Sequence, residues 1–216
     1  MTTRVMILCS VLLVLAMLAY SLWLYPNLPD QIPTHWNWKG EADGWSSKQV
    51  GSFLLPGLTV GLLLLFLALP WLSPRGFHVE AFRPTYNLIV LLVLALMAYI
   101  HFVALQAALH PRLDVSRALI GGVFLLFGGI GILLNRVKRN FWMGIRTPWT
   151  LASEAVWERT HHLSARLFLL TGILGTLAVW MGAPPGVCFV LLLIVAFVPV
   201  VYSLVLYKLL ENRGQV

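Results

Sequence analysis

Glu154, Glu158, His161 and His162 crowd one short stretch of the chain, and carboxylates beside imidazoles are the groups from which metal sites and acid–base pairs are built. On a helix, offsets of three and four place Glu154, Trp157 and His161 on one stripe. Glu158 and His162 then stand on its flank, with Arg166 four residues beyond His162. Proximity alone is not catalysis: no His-Glu-x-x-His pair and no Gly-x-Ser-x-Gly elbow is present. A small transporter or an intramembrane metal-dependent enzyme using Glu154, Glu158, His161 and His162 is therefore the alternative reading. Two others compete with it. One is an amphipathic interfacial helix with Trp149 and Trp157 at headgroup level. The other is a site in which Arg146, Glu154, Trp157 and His161 hold a ligand or a cytosolic partner. Glu154 and Glu158 repel each other unless a cation lies close, and Arg146, Arg159 or Arg166 is placed to supply it.

The elements that position these residues are bilayer-length. Hydrophobic residues make up 59% of the 216, charged residues only 11%, and mean hydropathy is +0.84, far more apolar than a soluble domain. Six stretches are long enough to cross about 30 Å of hydrocarbon. They run near Val5 to Leu24, Phe53 to Leu72, Leu88 to Leu109, Ala118 to Leu134, Leu163 to Met181 and Val187 to Tyr207. The first exceeds a usual signal-peptide core and lacks an A-x-A site, so it reads as a retained span. The fold class expected is all-α: a polytopic bundle of six transmembrane helices with an outer loop and a cytoplasmic interfacial helix. Three units are expected, 1–72 with a Trp-rich outer loop at 25–49, 73–115, and 116–216 with the motif at 136–162.

The net charge of +7 is scattered along segment ends, which favours lipid headgroups over direct nucleic-acid binding. With a cytoplasmic N-terminus, Arg4, Arg75, Arg83, Arg136, Lys138, Arg139, Arg146, Arg159, Lys208 and Arg213 lie inside. Lys39, Lys48, Arg112 and Arg117 lie outside. That asymmetry places both termini in the cytoplasm.

Two polar segments follow, one on each face. In the outer loop Pro26, Pro29 and Pro33 exclude helix and imply an extended, folded-over strap. Lys39-Gly40 and Asp43-Gly44 read as turns that gather Trp36, Trp38 and Trp45 around a knob, and Ser46 or Ser47 caps the second span. His35, Trp36, Asn37, Gly40, Asp43 and Trp45 form a recognition surface on this reading, with an interfacial tryptophan lid as the competing one. His35, Glu41 and Asp43 match no recurring metal-ligand spacing, and neither a metal nor a cofactor is expected. In the inner segment Asn140 and Gly144 permit turns. Thr147-Pro148 reads as an N-cap with proline at the first helical position, opening a helix that continues, straight or bent, into the fifth span.

The run Asn140, Gly144, Ile145, Arg146, Thr147, Pro148, Trp149, Thr150, Leu151, Ser153, Glu154, Val156, Trp157, Thr160 and His161 resembles the signature segment of the SdpI immunity-protein family. The outer loop, through Leu28, Pro29, Ile32, Pro33, His35, Asn37, Gly40, Asp43, Gly44 and Lys48, resembles the domain of unknown function that often forms the N-terminal part of these proteins. The resemblance covers most of the chain in the same order, and departs at His162, where relatives often carry arginine. It implies a bacterial inner-membrane protein that is not an enzyme and that protects against a secreted, membrane-active peptide toxin. It also implies a signalling role through a cytosolic transcriptional regulator. Asn140, Gly144, Arg146, Thr147, Trp149, Glu154, Trp157 and His161 are then the inner motif, partner-binding or structural.

Weaker signals remain. Cys9 and Cys188 are expected as free buried thiols near opposite faces. His101 and Gln106 are unusual in a span, and a bond from His101 to a neighbouring backbone or hydroxyl group is favoured over a polar path. Pro56, Pro70 and Pro199 are expected to kink or end their helices.

Overall fold

Apolar runs of about twenty residues must satisfy their backbone groups internally in lipid, and helices do so. The structure, a computed structural model, describes residues 1–37 and 41–215. Its six long helices are α1 (Thr3–Leu24), α2 (Lys48–Ala68), α3 (Arg83–Leu109), α4 (Val115–Leu134), α6 (Glu154–Trp180) and α7 (Pro185–Glu211), with a short α5 (Pro148–Ala152) before α6. All six are long and apolar enough to cross a membrane. The protein is a multi-pass helical membrane protein.

The fifth span starts at Glu154, well before the expected Leu163, because Ser153 ends one helix and opens the next. Its backbone is extended (φ −131°, ψ 128°), and its hydroxyl accepts from the Val156 N–H at 3.4 Å. The helix expected to run on, straight or bent, is thus broken into two at Ser153. Thr147 does cap α5, accepting from Thr150 N–H at 3.2 Å while Thr150 Oγ1 accepts from Thr147 N–H at 2.9 Å. Of the two candidate serines it is Ser47 that caps α2. Pro56 and Pro199 stand inside α2 and α7, and Pro70 lies just past the end of α2.

The expected extended, folded-over strap takes the form of a β-hairpin, β1 (Gln31–Trp36) antiparallel to β2 (Ala42–Ser47). Pro33 is tolerated because a two-stranded sheet leaves one side of each strand without ladder bonds. Irregular register between Pro33 and Trp36 absorbs the mismatch. Asp43 and Gly44 lie within β2 rather than in a turn. The expected Lys39-Gly40 turn, the placement of Trp38 and the binding role of Gly40 lie outside the described residues. Ile32 is completely buried, with Leu24, Leu28 and Leu105, and seats the hairpin on the helix ends.

The helices pack in a chain of neighbours: α1 and α2 on α3, α3 on α4, α4 on α6, and α6 on α7. The closest approach is α4 on α6, and glycine makes it possible. A Cβ on Gly172 would lie 2.4 Å from Gly128 Cα, and one on Gly131 would lie 2.4 Å from the Leu169 nitrogen. In a bilayer, where apolar burial gives no net drive between helices, such backbone contact supplies the packing energy.

Candidate functional site

Two constellations occupy opposite ends of the bundle. At the end away from the hairpin, Asn140 organises the loop after α4. Fully buried, its Oδ1 accepts from the Trp142 and Met143 N–H groups, both at 2.7 Å, and its Nδ2 donates to the Lys138 and Met143 carbonyls at 2.8 and 2.9 Å. Four bonds from one side chain hold the turn. Trp142 in turn donates through Nε1 to Ser73 Oγ at 2.8 Å.

Trp157 and His161 lie beneath this loop, each about 1% exposed, with rings stacked at 4.0 Å between centroids. Trp157 Nε1 donates to the Val137 carbonyl at 2.8 Å. Trp157 is therefore a core residue and not a headgroup anchor. His161 Nδ1 donates to the Trp157 carbonyl at 2.8 Å, and Nε2 accepts from the Ile145 N–H at 3.1 Å. These bonds select the neutral Nδ1–H tautomer and leave neither nitrogen open to a metal or substrate.

The expected stripe is consequently split. Glu154, the first residue of α6, is exposed while Trp157 and His161 are buried. Glu158 pairs with Lys138 at 3.4 Å, a cation outside the expected three. His162 Nδ1 donates to the Glu158 carbonyl at 2.8 Å. Glu154, Glu158, His161 and His162 do not converge, and among the described residues no group of three or more His, Cys, Asp or Glu is placed to hold a metal. The four residues proposed for the enzyme reading are thus not gathered at one point. Arg146 is exposed and donates to the Phe141 carbonyl at 2.6 Å. Trp149 is half-buried against Val156, Leu206 and Leu210.

Some residues of this site were missed from sequence. Thr147 Oγ1 lies 2.9 Å from Ser203 Oγ, tying α5 to α7, and Arg139 donates to the Leu151 carbonyl at 3.2 Å. A serine in an otherwise apolar last span was the available signal for Ser203.

At the hairpin end, His35 Nδ1 contacts Asp43 Oδ1 at 2.5 Å across the strands, in the open. Asn37 Nδ2 donates to Glu41 Oε2 at 3.1 Å. Trp36 and the 54%-exposed Trp45 line a groove with Pro33 on one side and His110, Pro111 and Leu113 of the α3–α4 connection on the other. The three residues of that connection were not foreseen. The hairpin set thus divides into two tryptophans in a groove and polar groups paired among themselves.

Between the two ends, His101 behaves as a satisfied buried residue on one side of its ring. Its Nε2 lies 2.9 Å from Ser21 Oγ and 3.3 Å from the Met17 carbonyl, and Ser21 donates to the Ser52 carbonyl at 2.7 Å. Gln106 donates to Tyr20 Oη. Both cysteines are free, Cys188 buried and Cys9 partly so.

Residues 136–203 match the family model of the SdpI/YfhL protein family. Over this segment the chain is similar to the SdpI/YfhL family. That match begins where α4 ends and closes at Ser203, so it brackets the whole Asn140–His161 assembly together with the hydroxyl that ties α5 to α7. Residues 12–60 match a domain of unknown function (DUF1648), which takes in the hairpin and most of the two spans beside it. The chain is 26% identical over 190 residues to the immunity protein SdpI of Bacillus subtilis (strain 168), a similarity covering 88% of this chain and 89% of that protein. No solved structure matches it.

Proposed function

We propose that this chain is a membrane immunity protein that protects the cell carrying it against a secreted, membrane-active peptide toxin. The observation that carries this reading is the near full-length similarity to an immunity protein, with both family segments in order. In this reading the hairpin faces outward and both termini are cytoplasmic, in keeping with the excess of Lys and Arg at the opposite end. An amphipathic peptide meets Trp36 and Trp45 first. Their rings supply apolar area, and His35, Asn37 and Asp43 supply the polar rim. No catalytic step is needed: binding keeps the peptide from the bilayer.

The inner motif supports a second role, signalling through a cytosolic regulator. Most of the motif is structural in this reading, and Arg146 and Glu154 are its exposed charged groups left for a partner. Expression in a toxin-sensitive bacterium tests the main proposal. Survival should rise at toxin doses that kill the parent strain, and no protection from correctly inserted protein would refute it. A regulator that co-purifies with the wild type and is lost on Arg146→Ala would support the second role.

A further inference from the structure

Arg159, His162 and Arg166 recur along one exposed flank of α6 and, with Tyr202 of α7, line a shallow pocket at the bundle surface away from the hairpin. Trp180, the last residue of α6, is 85% exposed, as suits an interfacial anchor. Measured back from it, a hydrocarbon core of about 30 Å takes roughly 20 residues of helix and ends near Thr160. Arg166 then sits about 9 Å inside that boundary, on the lipid-facing side. Among the described residues neither Arg159 nor Arg166 forms an ion pair. The carboxylate in the pocket, Glu158, is engaged by Lys138.

A guanidinium facing hydrocarbon is costly, and it is stabilised by reaching an anion at the interface. Arg159 and Arg166 stand seven residues apart on one flank of α6, about 10 Å of rise, within reach of one headgroup, and a guanidinium suits a phosphate, whose oxygens take its parallel N–H donors. Below this pair the same surface is apolar: Leu170 and Ile173 on α6 are 56% and 51% exposed, and Val198 on α7 is 41% exposed. Cations at headgroup depth with apolar side chains beneath match a lipid's own order of head and chains.

We propose that Arg159, Arg166, His162 and Tyr202 form a binding site for the phosphate headgroup of an anionic phospholipid. Arg166 is the residue that draws the phosphate down against α6, and Leu170, Ile173 and Val198 lie along the acyl chains. The site is independent of toxin recognition.

The test is native mass spectrometry of the purified full-length protein with phosphatidylglycerol or phosphatidylcholine. Phosphatidylglycerol should be retained about tenfold better, and Arg166→Gln and Arg159→Gln should each reduce retention several-fold. Arg75→Gln, at an exposed position elsewhere, should not. An excess of inorganic phosphate should leave the lipid bound; displacement would mean that free phosphate is the ligand and would overturn the proposal. Equal retention of both lipids, or no effect of either arginine substitution, would also overturn it. If Arg166→Gln does not insert, Arg159→Gln at the boundary carries the same test.

Discussion

Gly144 and His161 meet at a distance that only glycine allows. A Cβ on Gly144 would lie 2.2 Å from His161 Nε2, the nitrogen that accepts the Ile145 N–H, and Gly144 has φ +105°. The turn at Gly144 and the buried imidazole therefore form one structural unit, linking the loop after α4 to the first turns of α6.

Substituting Gly144→Ala should strain the backbone and displace the ring. The combined cost is about 2–4 kcal/mol. Thermal unfolding in detergent, followed by tryptophan fluorescence, should show a clearly lower midpoint than wild type. A midpoint within error of wild type would contradict this account of the turn.

Trp157→Phe should leave the Val137 carbonyl buried without its donor, at a cost of about 1–3 kcal/mol. Trp149→Phe should cost less, because Trp149 is only half-buried and makes no comparable bond among the described residues. Denaturation of the two variants side by side checks the order. The reverse order would favour the interfacial-anchor reading of Trp157.

The α4–α6 contact predicts an ordered glycine series. Gly172→Ala places a methyl group against the Gly128 backbone and should destabilise by about 1–3 kcal/mol, whereas Gly57→Ala meets nothing within 4 Å and should be neutral or better. Membrane yield and melting temperature of the pair are the readouts. Equal behaviour would argue against the close crossing.

At the hairpin, stability and protection should separate. Ile32→Ala removes a fully buried side chain and should cost about 2–5 kcal/mol. The His35–Asp43 contact is 71% and 44% exposed at its two side chains, so His35→Ala should change stability by less than about 1 kcal/mol. If the hairpin receives the toxin, Trp45→Ala should lower protection about fivefold or more at unchanged expression. Full protection by a folded Trp45→Ala variant would move the toxin contact elsewhere.

Orientation has its own check. A reporter fused after Gln215 should behave as cytoplasmic, and a cysteine replacing the exposed Thr34 should react with an impermeant thiol reagent added to intact cells. Labelling only after lysis would invert the topology.

Six spans, the Thr147 cap and the turn at Asn140 were legible in the chain itself, because span length, capping and turn chemistry depend on near neighbours in sequence. Tertiary structure alone decided the rest. Trp157 and Glu154 share a helical stripe, yet one is sealed under the Asn140 loop and the other faces outward, since burial depends on where a distant segment returns. The Lys138–Glu158 pair, the Thr147–Ser203 link and the groove between Trp45 and Leu113 join residues far apart in the chain. Pro33 hid a strand that becomes possible only when β2 offers it a partner. Local chemistry set the elements and their ends, and packing between them decided which polar groups became structure and which stayed open to a partner.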